Sequence, residues 1–106
     1  MSTLKLTATT DRIAERLEQG LAYYREEIPL QTQQAVREYV LNHIPQGHFL
    51  TAVLSNDLFT AVSRADHYNV KAIPALCQLL YNHVPAACFG SPERAETWLR
   101  RSEEIE

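Results

Sequence analysis

Two short segments of this chain repeat residue types that can bind a metal ion. NHIP at residues 42–45 is matched by NHVP at residues 82–85, and the same offset pairs a histidine with a cysteine a few residues further along. Four nitrogen and sulfur ligands could close a tetrahedral zinc site. The spacing is not a familiar zinc pattern, and histidine followed by proline also marks the end of a helix. The sequence therefore favours two similar helix ends without metal or cofactor, with a zinc site as the alternative. The four side chains of that alternative are His43, His48, His83 and Cys88.

A run of polar side chains between residues 56 and 69 is the best candidate for a binding site. If residues 48–65 form one helix, Asp57 faces partly inward and needs a partner, because burying an unpaired carboxylate is costly. Arg64, seven residues further on, can supply that partner. The two residues then form a structural pair or cap, which the sequence favours, or they line a polar pocket. The residues of that candidate pocket are Asn56, Asp57, Arg64, His67 and Asn69.

The remaining nucleophiles offer no catalytic arrangement. Cys77 lies on an apolar helical stripe, which predicts a small buried hydrophobic residue. Cys88 is expected in a loop, but no electropositive setting that would activate a thiol is visible in the sequence. Glycine-rich phosphate loops, paired carboxylates at helical spacing and a Ser-His-Asp order are absent. We therefore expect a protein that is not an enzyme.

Composition restricts the partners of this chain. Of its 106 residues, 45% are hydrophobic and 22% are charged, with a net charge of −3, which is typical of a packed globular domain. The lysines and arginines are scattered rather than gathered in a basic stripe, which argues against binding nucleic acid independently of sequence. No apolar run approaches the length of a membrane span, and residues 1–5 do not resemble a signal peptide. The sequence predicts a cytosolic protein with reduced thiols.

Helical periodicity runs through most of the chain, and no segment alternates as a strand does. The sequence predicts an all-α bundle of about five helices at residues 10–101, preceded by an irregular arm at 1–9 and followed by an acidic tail at 102–106. One continuous helix is favoured over two at 48–65. Pro74 is expected in the first turn of its helix, and Ser91 is expected to cap the last one. The predicted buried residues are Ile13, Leu17, Leu54, Leu58, Ile73, Leu76, Leu80, Trp98 and Leu99.

Four motifs between residues 37 and 100 form a recognisable set. They are IP-x-G-x-FL-x-AVL-x-NDL at 44–58, RAD-x-x-N at 64–69, YN-x-x-P at 81–85 and C-x-GSPE-x4-WL at 88–99. Together they resemble small helical proteins encoded by tailed phages and prophages. The resemblance implies a compact helical fold and a phage accessory role, and it carries no established activity to transfer to individual residues. His48 departs from the pattern, since a small residue such as glycine is expected there.

Two functions follow as expectations. Small phage accessory proteins often bind a host molecule. The same role is expected here by analogy, because a fold by itself does not define a function. The first expectation is a non-enzymatic protein that binds and modulates, or inhibits, a host protein in the bacterial cytoplasm, using its helix faces and forming a homo-oligomer. The alternative is a protein that binds or sequesters a small nucleotide-type ligand in the polar pocket at residues 56–69.

Overall fold

The chain folds as a compact set of helices. The computed structural model describes the backbone of residues 2–104 and the side chains of residues 10–101. Within those bounds there are six α-helices and no strand, which confirms the predicted all-α class. None of these helices is long and apolar enough to cross a membrane. The helices are α1 (Ser2–Tyr23), α2 (Leu30–Asn42), α3 (His48–Leu54), α4 (Leu58–Arg64), α5 (His67–His83) and α6 (Pro92–Glu104), with a 3-10 turn at Ala86–Cys88.

The two ends of the chain differ from the sequence prediction. Helix α1 begins at Ser2, so the backbone of residues 2–9 is helical where an irregular arm was expected. The threonines of this segment lower helix propensity only slightly, and no proline or glycine interrupts the chain before Gly20. Helix α6 likewise continues to Glu104, inside the predicted tail, while residues 105–106 lie outside the described residues. The predicted Ser91 cap is confirmed, because its hydroxyl accepts from the Arg94 N–H at 3.1 Å.

The segment 48–65 forms two helices, so the prediction of one continuous helix was wrong. In a continuous helix the Leu54 carbonyl would accept from the N–H of Leu58. It accepts instead from the Gly90 N–H at 2.8 Å, a contact from the loop before α6. Asn56 adopts a left-handed conformation with φ of 62°, which asparagine tolerates better than most residues. A tertiary hydrogen bond and a residue suited to a turn together break the helix here.

Helix α5 begins earlier than the sequence predicted. Asp66 caps it, accepting from the N–H groups of Tyr68 and Asn69, so Pro74 lies inside the helix rather than in its first turn. Pro74 cannot donate to the Val70 carbonyl, which leaves one interruption in the helical ladder. Its buried face is also rotated from the predicted stripe, since Tyr81 is exposed. The buried residues of α5 are Ala72, Ile73, Ala75, Leu76, Leu79 and Leu80.

Most of the predicted core residues are buried. Ile13 and Leu99 are partly buried at its edge, and Leu58 is exposed, so its predicted burial was wrong. A smaller cluster of Ala52, Ala61 and Ile73 packs under α3 and α4. The predicted residues confirmed as buried are Leu17, Leu54, Ile73, Leu76, Leu80 and Trp98.

Gly20 lies where α1 crosses α5. A Cβ atom at this position would lie 2.5 Å from Leu79 Cδ1 and 2.6 Å from His83 Cγ. Carbon atoms in contact are ordinarily about 3.5–4.0 Å apart. The absence of a side chain therefore allows the two helices to approach closely, and Gly20 does more than weaken its own helix.

The buried polar groups of Tyr39, Trp98 and Gln33 are hydrogen-bonded. The Tyr39 hydroxyl donates to the Cys88 carbonyl at 2.7 Å, and the Trp98 indole donates to the Tyr39 carbonyl at 3.1 Å. These bonds join α2 to the 3-10 turn and to α6. Gln33 donates to the carbonyls of Ile28 and Arg25 and so holds the turn between α1 and α2.

Candidate functional sites

The predicted polar site does not assemble as one pocket. Asn56 lies in the turn between α3 and α4, while Asp57 caps α4 and is exposed. His67 is exposed at the first position of α5, where its ring packs edge-on against Tyr68. Arg64 and Asn69 alone among the five predicted residues line a common groove. Asn56, Asp57 and His67 therefore occupy a turn, a helix cap and a helix start, and only Arg64 and Asn69 share a surface.

Asp57 and Arg64 are not paired to each other. Asp57 Oδ1 accepts from the Thr60 N–H at 3.2 Å, and hydrogen bonds from Thr60 lower the pKa of the carboxyl group. Because the helix breaks at residue 56, Asp57 points along the start of α4 and not into the core. Of the two structural roles considered from sequence, the cap is observed and the ion pair is not.

The groove that contains Arg64 and Asn69 lies between α2, α3 and the start of α5. It has a volume of about 450 Å³, and His48 and Asp66 also line it. The Asn69 side-chain oxygen is already engaged, since it accepts from the Thr32 hydroxyl at 2.6 Å. Arg64 is exposed and makes no hydrogen bond or ion pair with another described residue. This surface combines one available cation with a nearby carboxylate and an imidazole.

The four residues of the alternative zinc site lie on different elements of the fold. His43 follows α2, His48 begins α3, His83 ends α5 and Cys88 lies in the 3-10 turn. No group of three potential metal ligands among histidine, cysteine, aspartate and glutamate occurs within the described residues. His43 ends α2 in a left-handed conformation, and its Nδ1 donates to the Trp98 carbonyl at 2.7 Å. His83 is the last residue of α5 and packs against Gly20 of α1. Each repeated motif ends a helix, as the simpler interpretation predicted.

The two cysteines exchange their predicted surroundings. Cys77 is exposed on α5, because the buried face of that helix is rotated, whereas Cys88 is fully buried in the 3-10 turn. Burial raises the pKa of the Cys88 thiol to about 12. A buried thiol with a raised pKa is a poor nucleophile at neutral pH, so Cys88 lies in the setting of a packed structural residue and not of an activated thiol.

Helix α4 presents an apolar face to solvent. Its seven residues contribute only Ala61 to the buried set. Leu58 is 61% exposed, Phe59 87% and Val62 48%, and their spacing places them side by side on one face. We call these three residues the α4 face. The predicted burial of Leu58 assumed a continuous helix at residues 48–65. Two large adjacent apolar residues directly after an Asx cap were the signal available for an exposed short helix.

Two further grooves lie along α1, one beside its middle and one after its C-terminal end. One, of about 300 Å³, is lined by α1 and the last turn of α5, and includes Arg12 and Arg16. The other, of about 480 Å³, follows α1 and includes Glu26 and Glu27 together with Tyr68. The first groove contains no acidic side chain, whereas the other two do.

Comparison with protein-family models, with curated proteins and with solved structures found no match for this chain. The function must therefore be argued from the surfaces described above.

Proposed function

We propose that this chain is a non-enzymatic binding protein of the phage accessory type, which contacts and modulates a host protein through the α4 face. The observation that carries the proposal is the exposure of Leu58, Phe59 and Val62 on one short helix. Contiguous exposed apolar patches are characteristic of protein–protein interaction sites, whereas single exposed apolar residues are ordinary. Phenylalanine and its neighbours can supply the central contacts of an interface, where a few residues carry most of the binding energy.

The local packing supports this use of α4. The helix is attached to the fold through Ala61, which packs with Ala52 and Ile73, and through its close contact with α3. The α4 face is therefore displayed by a helix that is itself anchored, so a partner would meet a pre-formed surface. A pre-formed surface loses less conformational entropy when it binds.

The proposal is tested with Phe59→Ala and a matched control, Tyr23→Ala. Tyr23 is 77% exposed at the end of α1, so both variants remove an exposed aromatic ring. Parent and variants are immobilised, exposed to bacterial lysate, and any retained protein is then purified and titrated. We expect a partner whose affinity falls about 30-fold or more with Phe59→Ala and is unchanged with Tyr23→Ala, at equal melting temperatures. A partner retained equally by both variants would contradict the proposal.

The same variants separate a host partner from a second copy of the chain. Molar mass is measured by light scattering at low and high protein concentration. A dimer of the parent that Phe59→Ala converts to monomer would assign the α4 face to self-association and overturn the host-protein proposal. The α4 face would then be the interface of the homo-oligomer that was expected from sequence.

A second candidate function is the binding of a small nucleotide-type ligand. It is favoured by the position of Arg64 and Asn69 on one groove of about 450 Å³, beside His48. The planar guanidinium of Arg64 can hold a phosphate through two parallel hydrogen bonds. A thermal-shift screen against nucleotides tests it: we expect a stabilisation by the bound nucleotide that Arg64→Lys reduces and Phe59→Ala leaves unchanged. No stabilisation by any nucleotide would contradict it.

A further inference from the structure

Positive charge is concentrated in the groove between α1 and the last turn of α5. Arg12 and Arg16 line it from α1, and Tyr81 and His83 line it from α5. The chain as a whole carries a net charge of −3, and each of the other two grooves contains at least one carboxylate. A groove lined by two arginines and no carboxylate has a positive local electrostatic potential, although the protein is acidic as a whole, and this potential attracts anions.

The two arginines are placed differently for binding. They are four residues apart, so both project from the same face of α1. Arg16 Nη2 donates to the Asn82 carbonyl at 2.6 Å, which fixes its guanidinium at the groove edge while four of its N–H donors stay available. Arg12 makes no hydrogen bond or ion pair with another described residue. One cation is therefore anchored and the other is available to close on a ligand.

The rest of the groove is largely apolar. Tyr81, which is 79% exposed, lines the groove together with Ile13, Asn82, Val84 and Pro85. The Nδ1 atom of His83 is buried without a hydrogen-bond partner among the described residues. Such a lining suits a molecule with an uncharged body, because apolar walls with a few placed polar groups are typical of small-ligand sites.

We propose that this groove binds a small organic anion, with a phosphate or carboxylate group on Arg12 and Arg16 and an apolar body against Tyr81. The site is separate from the α4 face and from the Arg64 groove, so it stands or falls independently of the proposed function. Both head groups carry two oxygen acceptors that can receive two parallel N–H hydrogen bonds from one guanidinium group. The distinction between them is made by experiment.

The full-length chain is titrated with phenyl phosphate, benzoate, inorganic phosphate and neutral benzyl alcohol, and binding is followed by calorimetry and amide chemical shifts. We expect phenyl phosphate or benzoate to bind, the tighter of the two assigning the head group, and benzyl alcohol not to bind. Inorganic phosphate is expected to bind more weakly because it has no apolar body. Equal binding of benzyl alcohol, or no binding of either aromatic anion, would overturn the proposal.

Arg12→Gln is the decisive variant, because Arg12 makes no hydrogen bond or ion pair with another described residue. We expect it to weaken the anion about tenfold or more, the usual effect of losing a charged hydrogen bond, with an unchanged melting temperature. Arg25→Gln is the matched control, since Arg25 is an exposed arginine that lines the groove with Glu26 and Glu27. Equal affinity for Arg12→Gln and Arg25→Gln, with chemical-shift changes away from α1 and α5, would show that the groove is not the site.

Discussion

Replacing Gly20 with alanine should destabilise the fold, although the same change usually stabilises a helix. On an exposed helix interior alanine is favoured over glycine by about 1 kcal/mol. Here the new Cβ would lie 2.5 Å from Leu79 Cδ1, 2.6 Å from His83 Cγ and 2.8 Å from His83 Cβ. These separations are about 1 Å shorter than ordinary carbon contacts. The Leu79 methyl can rotate away, but the His83 Cβ is attached to the backbone of α5 and cannot.

The net effect follows from two opposing terms. Overpacking a well-packed interior costs about 1–3 kcal/mol, and the rigid contact with His83 Cβ places this site in the upper part of that range. The gain in helix propensity offsets up to about 1 kcal/mol. We therefore expect the free energy of unfolding to fall by about 1–2 kcal/mol, which lowers the melting temperature by roughly 5–15 °C for a domain of this size.

Urea unfolding followed by far-ultraviolet circular dichroism measures the change. Gln19 provides the control, because it precedes Gly20 in α1 and is exposed. Gln19→Ala should be more stable than Gln19→Gly, the normal order for a helix. The double variant Gly20→Ala, His83→Ala should recover only a part of the stability lost at position 20, because alanine removes the contact with His83 Cγ and keeps the contact with His83 Cβ. If Gly20→Ala is as stable as the parent, or more so, α1 and α5 do not cross closely at Gly20.

Four further outcomes are expected. Leu80→Ala, which truncates a buried side chain, should lower the free energy of unfolding by about 2–5 kcal/mol in urea, and a neutral effect would place Leu80 outside the core. Cys77 should react rapidly with an aromatic disulfide reagent at mildly alkaline pH and Cys88 only after unfolding, so two fast thiols per chain would be inconsistent with the structure. The pKa of the Cys88 thiol is raised to about 12 in the folded state, so the thiol ionises at lower pH in the unfolded state and the free energy of unfolding should decline as the pH rises above about 8.5. In Cys88→Ala this decline between pH 8 and pH 11 should be shallower. An identical pH profile in parent and variant would exclude Cys88 as the cause. Asp57→Ala should lower the melting temperature through loss of the α4 cap while Asp57→Asn and Arg64→Lys leave it close to the parent value, and a large loss in Arg64→Lys would revive the structural ion pair.

The candidate sites were only partly predictable from sequence. Ser91 was read correctly as the residue that begins the last helix, because a side-chain acceptor before a helix has one local function. Of the five residues proposed as a pocket from sequence, Arg64 and Asn69 line one groove, whereas Asn56, Asp57 and His67 lie outside it. The groove with Arg12 was missed because its two walls come from opposite ends of the chain, although two arginines four residues apart were a visible signal.

The break between α3 and α4 shows how a distant residue decides local structure. The Ser55-Asn56-Asp57 triplet is compatible with both a continuous helix and a turn. The choice is made by the Gly90 N–H, which takes the Leu54 carbonyl that a continuous helix would use internally. Because that donor comes from more than thirty residues away, no local pattern could have revealed it.

The sequence by itself determined that this protein is helical and that α2 and α5 end at the NHIP and NHVP motifs, because proline and helical periodicity act within a few residues of one another. Tertiary structure decided which face of each helix is buried. In α5 the small residues Ala72 and Ala75 lie inside and Cys77 and Tyr81 outside, although both stripes are apolar enough to serve. The physical reason is that α1 packs closely against α5 at Gly20, where Leu79 and His83 of α5 face α1. A helix carries its periodicity in its own residues, but the orientation of that helix depends on the shape of the neighbour against which it packs.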